Sequence, residues 1–501
     1  MNRNSFSLLS LLVGALSLAA CSGPPGGFQP PPSGGAGNVS VVLVADNPPA
    51  IPSILTYTVS VDEVTLTPSG GGAAVTLTPA TPVMDVMRLQ SDSAFLGTLS
   101  NVPAGSYTVT LSLGGEAITF LNDSGAAMTV GSTVCPSGDI CSVTLSATGT
   151  PTVGSFTLTT TSSGSQGVGI DLNLGGTLAL SGGTLTASFP ATSVSAFTLP
   201  RQNANLAANQ LDLIEDFTGV VTVNQAGTVT ISSLTRGNIT ATPTSTTVFD
   251  PDPSDSLCTN ATTIANCVSN NQIASVDAVL NADGTLSVLE IEPLADSALD
   301  TVEGTVVGVT SSTQFSIVVS DKLQASTGSL ITNLNVGDPL TVNLDTLNLT
   351  PFFVDTKGLD VGSASPAALN TFAGQTDTTA IFPGQTVAVH ITALTASSGT
   401  TPASATVDTV TLRWSRFTAQ VAPLSSSSFQ VGALPLFFNF TPSSTFQVQA
   451  FTTGTRITHV DGVTDLANLN AAKTVSIRAL FFENPGLSLQ PAFFAAKVRQ
   501  H

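Results

Sequence analysis

The chain has 501 residues and a formal net charge of −19; hydrophobic residues make up 42%, aromatic residues 6% and charged residues only 9%. Strong net acidity argues against a nucleic-acid partner, which needs basic clusters to displace counterions. The richness in Val, Ile and Thr argues against disorder, which goes with few β-branched residues and high charge density. The length accommodates about three or four domains, and the composition predicts an all-β fold with very little helix.

Met1 to Asn4 form a polar head carrying Arg3, and an apolar run follows from Ser7 to Ala20. This is the layout of a secretory signal, and the run is too short for a membrane-spanning helix of about 20 apolar residues. The ending Leu18-Ala19-Ala20-Cys21 resembles a bacterial lipobox. That resemblance implies a signal peptide over residues 1–20, removed before Cys21, and acylation of the Cys21 thiol and new amino terminus by palmitate-type chains. The partner it implies is the membrane, reached through the N-terminal lipid. Ser22, rather than Asp, resembles the default signal for the outer membrane of the cell envelope. Residues 21–38 then read as the lipidated Cys and a Pro/Gly tether, with a reach of about 50 Å.

With Cys21 set aside, the spacings Cys135-x5-Cys141 and Cys258-x8-Cys267 give two local pairs. In an exported chain these read as disulfides. No histidine lies near either pair and neither spacing is a zinc knuckle.

A first domain is expected over residues 39–200. Tyr107, Val109, Leu111 and Leu113 alternate with Ser106, Thr108, Thr110 and Ser112 after the turn Val102-Pro103-Ala104-Gly105, the period of a strand with one buried face. Four stretches carry a resemblance: Val61-Asp62-Glu63-Val64, Met84-Asp85-Val86-Met87-Arg88-Leu89, Val102 to Tyr107, and Ile170-Asp171-Leu172. Their order resembles a bacterial lipoprotein domain of unknown function, and Pro-Ala-Gly-Ser-Tyr is similar to prealbumin-like β-sandwich modules. The resemblance implies a β-sandwich and no chemistry.

From Leu211 the pattern restarts at Phe217-Thr218-Gly219, Val302-Glu303-Gly304 and Phe417-Thr418-Ala419. Three small barrels or sandwiches are therefore expected, over 211–297, 301–415 and 416–501. Leu334 to Asp338 and Phe382 to Val387 are similar to landmarks of an uncharacterised bacterial repeat domain thought of as a small open barrel. Ser365-Pro366 with Ala367 to Leu369, and Val463 to Ala471, are the two places where a short helical turn is expected.

Candidate chemistry is sparse. His390, His459 and His501 are the only histidines, and His390 and His459 read as solvated strand residues. Nothing resembles a hydrolase elbow, a metalloprotease helix or a phosphate loop, so a carboxylate-based hydrolase is the residual enzymatic option and a non-catalytic role leads. No metal or other cofactor is assigned. Asp250, Asp252 and Asp255 are the one weak calcium candidate, since calcium takes several hard oxygens, but the stretch lacks the Gly and trailing Glu of an EF-hand loop. Nine phenylalanines between residues 437 and 494 read as core, with an apolar docking patch as the alternative. Residues 22–300 hold 21 acids against three bases, while residues 413–501 hold seven bases against three acids. That asymmetry is either ordinary surface variation or a basic end facing something anionic. The functional reading is a membrane-anchored envelope lipoprotein acting as a structural or binding module, with a glycan or protein partner in the envelope as the alternative.

Overall fold

The computed structural model describes residues 36–501 apart from 50–52, 146–151, 159–164, 204, 225–226, 252–257, 296–298, 326, 358–370, 400, 424, 426, 439–445, 453–456 and 485–489. Cys21 with its signal and most of the tether, Asp252, Asp255, Phe440 and the turn expected at Ser365-Pro366 lie outside the described residues.

Two-residue alternation builds the sandwich. In the strand Gly105–Leu121, Tyr107, Val109, Leu111 and Leu113 are buried while the serines and threonines between them are not. This strand runs antiparallel to Ile54–Pro68 in a six-stranded sheet, with Val64 opposite Leu111 and Leu66 opposite Val109. The Tyr107 hydroxyl donates to the Pro103 carbonyl at 2.5 Å, clasping the turn that sets the register. The facing sheet has the order Val194–Thr198, Ser165–Asn173, Ala36–Asp46, Ala94–Pro103. Its strand Ala36–Asp46 starts inside the stretch read as tether. Val41 and Leu43 enter the sandwich core, and Val42 and Val44 enter the core of the next domain. A strand covered on both faces is why this segment reads as a continuous apolar run rather than an alternation.

Three five-stranded barrels follow with one winding. The first uses Gln210–Val223, Val229–Ser232, Asn238–Phe249, Ile273–Asn281 and Leu286–Ala295. Its spatial order is first, second, third, fifth, fourth and back to the first, and only the third and fifth strands are parallel. The second repeats this order with Asp300–Ser311, Gln314–Leu323, Pro339–Leu344, Thr386–Thr395 and Ala403–Pro423. The third repeats it with the far half of Ala403–Pro423, then Ser428–Val431, Phe446–Ala450, Thr474–Asn484 and Gln490–Gln500. No linker separates the last two barrels. Along their shared strand Arg413 pairs with Thr386 of the second barrel and Trp414 with Leu480 of the third.

The repeat is marked by a close approach in the opening strands of the first two barrels. A Cβ on Gly219 would lie 2.2 Å from the Ser232 carbonyl oxygen, and one on Gly304 would lie 2.6 Å from that of Val318. The third barrel carries Ala419 at this place. The uneven spacing of the restarts comes from the second barrel, whose excursion between third and fourth strands spans residues 345–385.

The expected class is therefore what folds: all-β, with a sandwich followed by three small β-domains. Among the described residues helix is limited to short pieces such as Ile264–Cys267 and the turn Leu466–Asn468. None of these is long and apolar enough to cross a membrane. Both disulfides, Cys135–Cys141 and Cys258–Cys267, are formed.

Candidate functional site

The domains meet around a polar segment of the sandwich, residues 85–93. The Asp85 carboxylate accepts from the backbone N–H groups of Tyr57 and Met87, both at 3.2 Å, and so turns the chain out of the strand Val83–Asp85. A single turn, Arg88–Gln90, follows. Arg88, Gln90, Ser91, Asp92 and Ser93 are all buried, which charged and amide groups tolerate only when partnered.

The partners come from all three barrels. Asp92 is fully enclosed and contacts Arg416 Nε at 2.9 Å, Arg478 Nη1 at 3.2 Å and Arg88 Nε at 3.4 Å. Arg88 also reaches Asp216 at 3.4 Å and Asp321 at 3.3 Å. Asp216 pairs in addition with Arg416 and Lys357. Glu215 binds Arg478 at 3.2 Å, Lys497 at 2.5 Å and His459. Arg236 donates to the Ser93 carbonyl and Arg499 to the Leu89 and Asp92 carbonyls, closing the backbone of the segment from two sides.

A β-bulge makes this geometry possible. Consecutive strand residues point to opposite faces, so a regular strand would bring only one of Glu215 and Asp216 into the hub. The pairing of Gln210–Val223 with Ile273–Asn281 slips between Ile214 and Phe217, and Asp216 adopts a φ of 49°. The bulge re-aims both carboxylates inward. The Asp216 N–H donates to Asp277 at 2.6 Å, while its carbonyl accepts from Arg88 and Arg236.

Burial pushes every one of these carboxylates up, and the cations around each decide the outcome. For Asp92 the guanidinium groups of Arg416, Arg236 and Arg478 outweigh burial and hold it well below the usual range. The same holds for Glu215, beside His459 and Lys497, and for Asp216, beside Lys357 and Arg416. Asp85, Asp212 and Asp321 are less well compensated and are pushed up to about 6 by burial.

The hub accounts for most of the described basic residues near the C-terminus and revises the reading of the histidines. In the basic C-terminal segment Arg413, Arg416, Arg478, Lys497 and Arg499 are paired with carboxylates of the same chain. His459 is not a solvated strand histidine but the partner of Glu215, and His390 pairs with Asp408 at 2.6 Å. His501 Nε2 lies 2.7 Å from Ser476 Oγ, and burial pushes the ring down to about 3, so it is neutral. The described phenylalanines between 437 and 494 are all buried, as the core reading expects. Asp250 uses its backbone N–H on Ile291, and among the described residues no three His, Cys, Asp or Glu are placed to hold a metal ion.

Beside the hub lies a cavity of about 360 Å³. Pro48, Pro49 and Leu55 of the sandwich and Leu434, Pro435 and Phe437 of the third barrel line it. Asp85, Arg88, Gln90, Arg416, Thr418 and Ser476 supply charged and polar groups to the same lining.

No family model, no curated protein and no solved structure matches the chain.

Proposed function

We propose that this chain is a lipid-anchored lipoprotein of the cell envelope that works as a non-catalytic structural or binding module. The observation that carries the non-catalytic reading is how the charged side chains are used. Asp92, Asp216, Glu215, Arg88 and Arg416 each hold two or more ionic partners and bridge separate domains. A group so committed is poorly suited to cycling a proton, which needs a pKa near the working pH. It is well suited to fixing four β-domains in one arrangement. The lipobox-like Leu18-Ala19-Ala20-Cys21, the tether and the two disulfides support the exported, anchored part of the reading. The landmark order through the sandwich supports membership among bacterial lipoproteins that pair such a domain with small-barrel repeats.

Anchoring is tested by Cys21→Ser. The parent should fractionate with membranes and incorporate labelled palmitate; the variant should be released or remain unprocessed, without label. Unchanged membrane retention with normal processing would overturn the proposal.

A further inference from the structure

A second charged junction lies where the strand Ala36–Asp46 ends. Val42 and Val44 of this strand enter the core of the first barrel, and Asp46, two residues beyond Val44, shares their face. Val44 stands opposite Asp171 of the parallel strand Ser165–Asn173, so Asp46 and Asp171 are diagonal neighbours on one face. In each the Oδ1 atom is buried without a hydrogen-bond partner. One guanidinium serves both: Arg201 Nη2 donates to Asp171 Oδ2 at 2.8 Å and attracts Asp46 as well. Of the other charged groups facing Asp171, Arg499 is bound to Asp461 at 2.8 Å, and His501 beside them is neutral. Two carboxylates thus share one cation.

Arg201 belongs to a segment that crosses from the sandwich to the third barrel. Leu199 is buried and its N–H donates to the Gly167 carbonyl at 3.0 Å, which fixes the near end. Gly169 leaves room for the Phe197 ring, since a Cβ there would lie 2.1 Å from it. The Arg201 guanidinium stacks over that ring, 4.4 Å from its centre. Beyond it the Gln202 carbonyl accepts from the Gly462 N–H at 2.8 Å, and Asn203 makes an antiparallel bridge to Asp461. Three polar contacts and one ring therefore hold residues 200–203, and segments with so few contacts are the first to open.

We infer that residues 200–203 are an acid-closed strap: with one proton on the Asp46–Asp171 pair they lie across the sandwich and the third barrel, and with both carboxylates charged they lift. Like charges beside a single cation disfavour full ionisation, and so does burial. Burial and then Asp171 push Asp46 up to about 6 against the pull of Arg201. Burial also raises Asp171, with Arg201 and Arg499 holding it back and Asp461 adding to the rise. Lifting the strap admits water to both carboxylates and returns Asp46 to its ordinary value of 3.8. The proton therefore favours closure fully below about pH 4, and that preference is lost as pH rises to about 6.

Hydrogen exchange on the full chain tests this, with labelling times scaled for the intrinsic pH dependence. A carboxyl at about 6 when closed and 3.8 when freed makes the open form about tenfold more populated at pH 7.5 than at pH 5. The Gly462 amide, which donates to the strap, should therefore exchange about tenfold faster at the higher pH. Asp46→Asn, which keeps the shape and removes the charge, should hold it slow at both. Arg201→Gln, which frees the strap from Asp171, should leave it fast at both. Asp321→Asn is the control: Asp321 is also pushed up to about 6 by burial but sits in the hub beside Arg88, so the pH response of Gly462 should survive it. Equal exchange at the two pH values in the parent, a tenfold change that persists in Asp46→Asn, or its loss in Asp321→Asn would each overturn the strap.

Discussion

Asp92→Asn changes one atom at the most enclosed carboxylate of the hub. Asp92 contacts three guanidinium groups at 2.9, 3.2 and 3.4 Å and has no exposed surface. At an effective dielectric of about 20 each such contact is worth about 4 kcal/mol before desolvation. Asparagine keeps the shape but removes the charge, so Arg88, Arg416 and Arg478 stay buried with less compensation. Breaking a buried pair from one side costs about 3–5 kcal/mol. In a folded unit of this length one kcal/mol moves the melting midpoint by about 1–2 °C, extending the trend of smaller domains, so a fall of about 3–10 °C is expected. Trp414 supplies the assay. It is the only tryptophan, is 2% exposed, and lies on the shared strand two residues from Arg416. Its emission should shift red at the lower midpoint. Asp62→Asn, at an exposed carboxylate, is the control and should leave the midpoint in place. In the pair Asp92→Asn with Arg478→Gln the losses should be less than additive by at least about 1 kcal/mol. An Asp92→Asn midpoint within about 1 °C of the parent, or strict additivity with Arg478→Gln, would refute the claim that these ion pairs hold the domains.

Stability should also depend on pH in an uncommon direction. Asp85, Asp212 and Asp321 have folded-state values raised to about 6 from 3.8, so above that pH the folded chain carries charges that the unfolded chain holds more cheaply. As pH falls through 6 the native state takes up protons first, and stability rises by at most about 3 kcal/mol per group. Asp92, Glu215 and Asp216 are depressed, so their contribution is present above the unfolded value near 4 and is lost as pH falls below it. The urea midpoint should peak between about pH 4 and 6, and a midpoint that climbs steadily to pH 8 would refute this. Gly219→Ala places a methyl 2.2 Å from the Ser232 carbonyl oxygen and should cost about 1–3 kcal/mol as an overpacked site. Ala419→Gly, at the matching place in the third barrel, should cost only about 0.5–1 kcal/mol through backbone entropy; urea melts giving Gly219→Ala the smaller loss would argue against the equivalence.

Most strands were legible because their residues alternate. The first strand of each barrel falls on a restart of the repeated pattern, and apolar–polar alternation from Val387 to Leu394 and from Phe493 to Val498 marks a fourth and a fifth strand. The third strands, Asn238–Phe249, Pro339–Leu344 and Phe446–Ala450, escape that reading for a physical reason. Asn238–Phe249 is rich in Thr, contains Pro243, and is exposed at about every other residue along much of its length. Pro339–Leu344 and Phe446–Ala450 are short, and all three pair in parallel with a fifth strand far along the chain. The Thr-rich run through residues 238–249 was the available signal, and β-branched content alone could have placed a strand there.

The hub was not legible, because its partners lie as far apart in sequence as the 386 residues between Asp92 and Arg478. Its trace in the sequence was the opposed charge of the two ends, and the repeat explains what that opposition achieves. Asp216 and Arg416 stand at the same place in their barrels, three residues before Gly219 and Ala419. One winding thus carries a negative charge in the first barrel and a positive one in the third. Three domains of one fold in one chain could dock on each other in several arrangements with similar apolar contacts. Two copies with like charges at the contact would repel strongly in a buried interface, while the inverted pair attracts. By this argument the inversion selects which barrel meets which, and residues 85–93 of the sandwich bring both Arg88 and Asp92 to the same junction. On this argument Arg416→Asp should do more harm than Arg416→Ala, because it turns the selected contact into the rejected one. Asp216→Arg in the same chain should recover part of the loss. Equal melting temperatures for Arg416→Asp and Arg416→Ala, or no recovery in the double variant, would show that the charges fill space at the junction without choosing the arrangement.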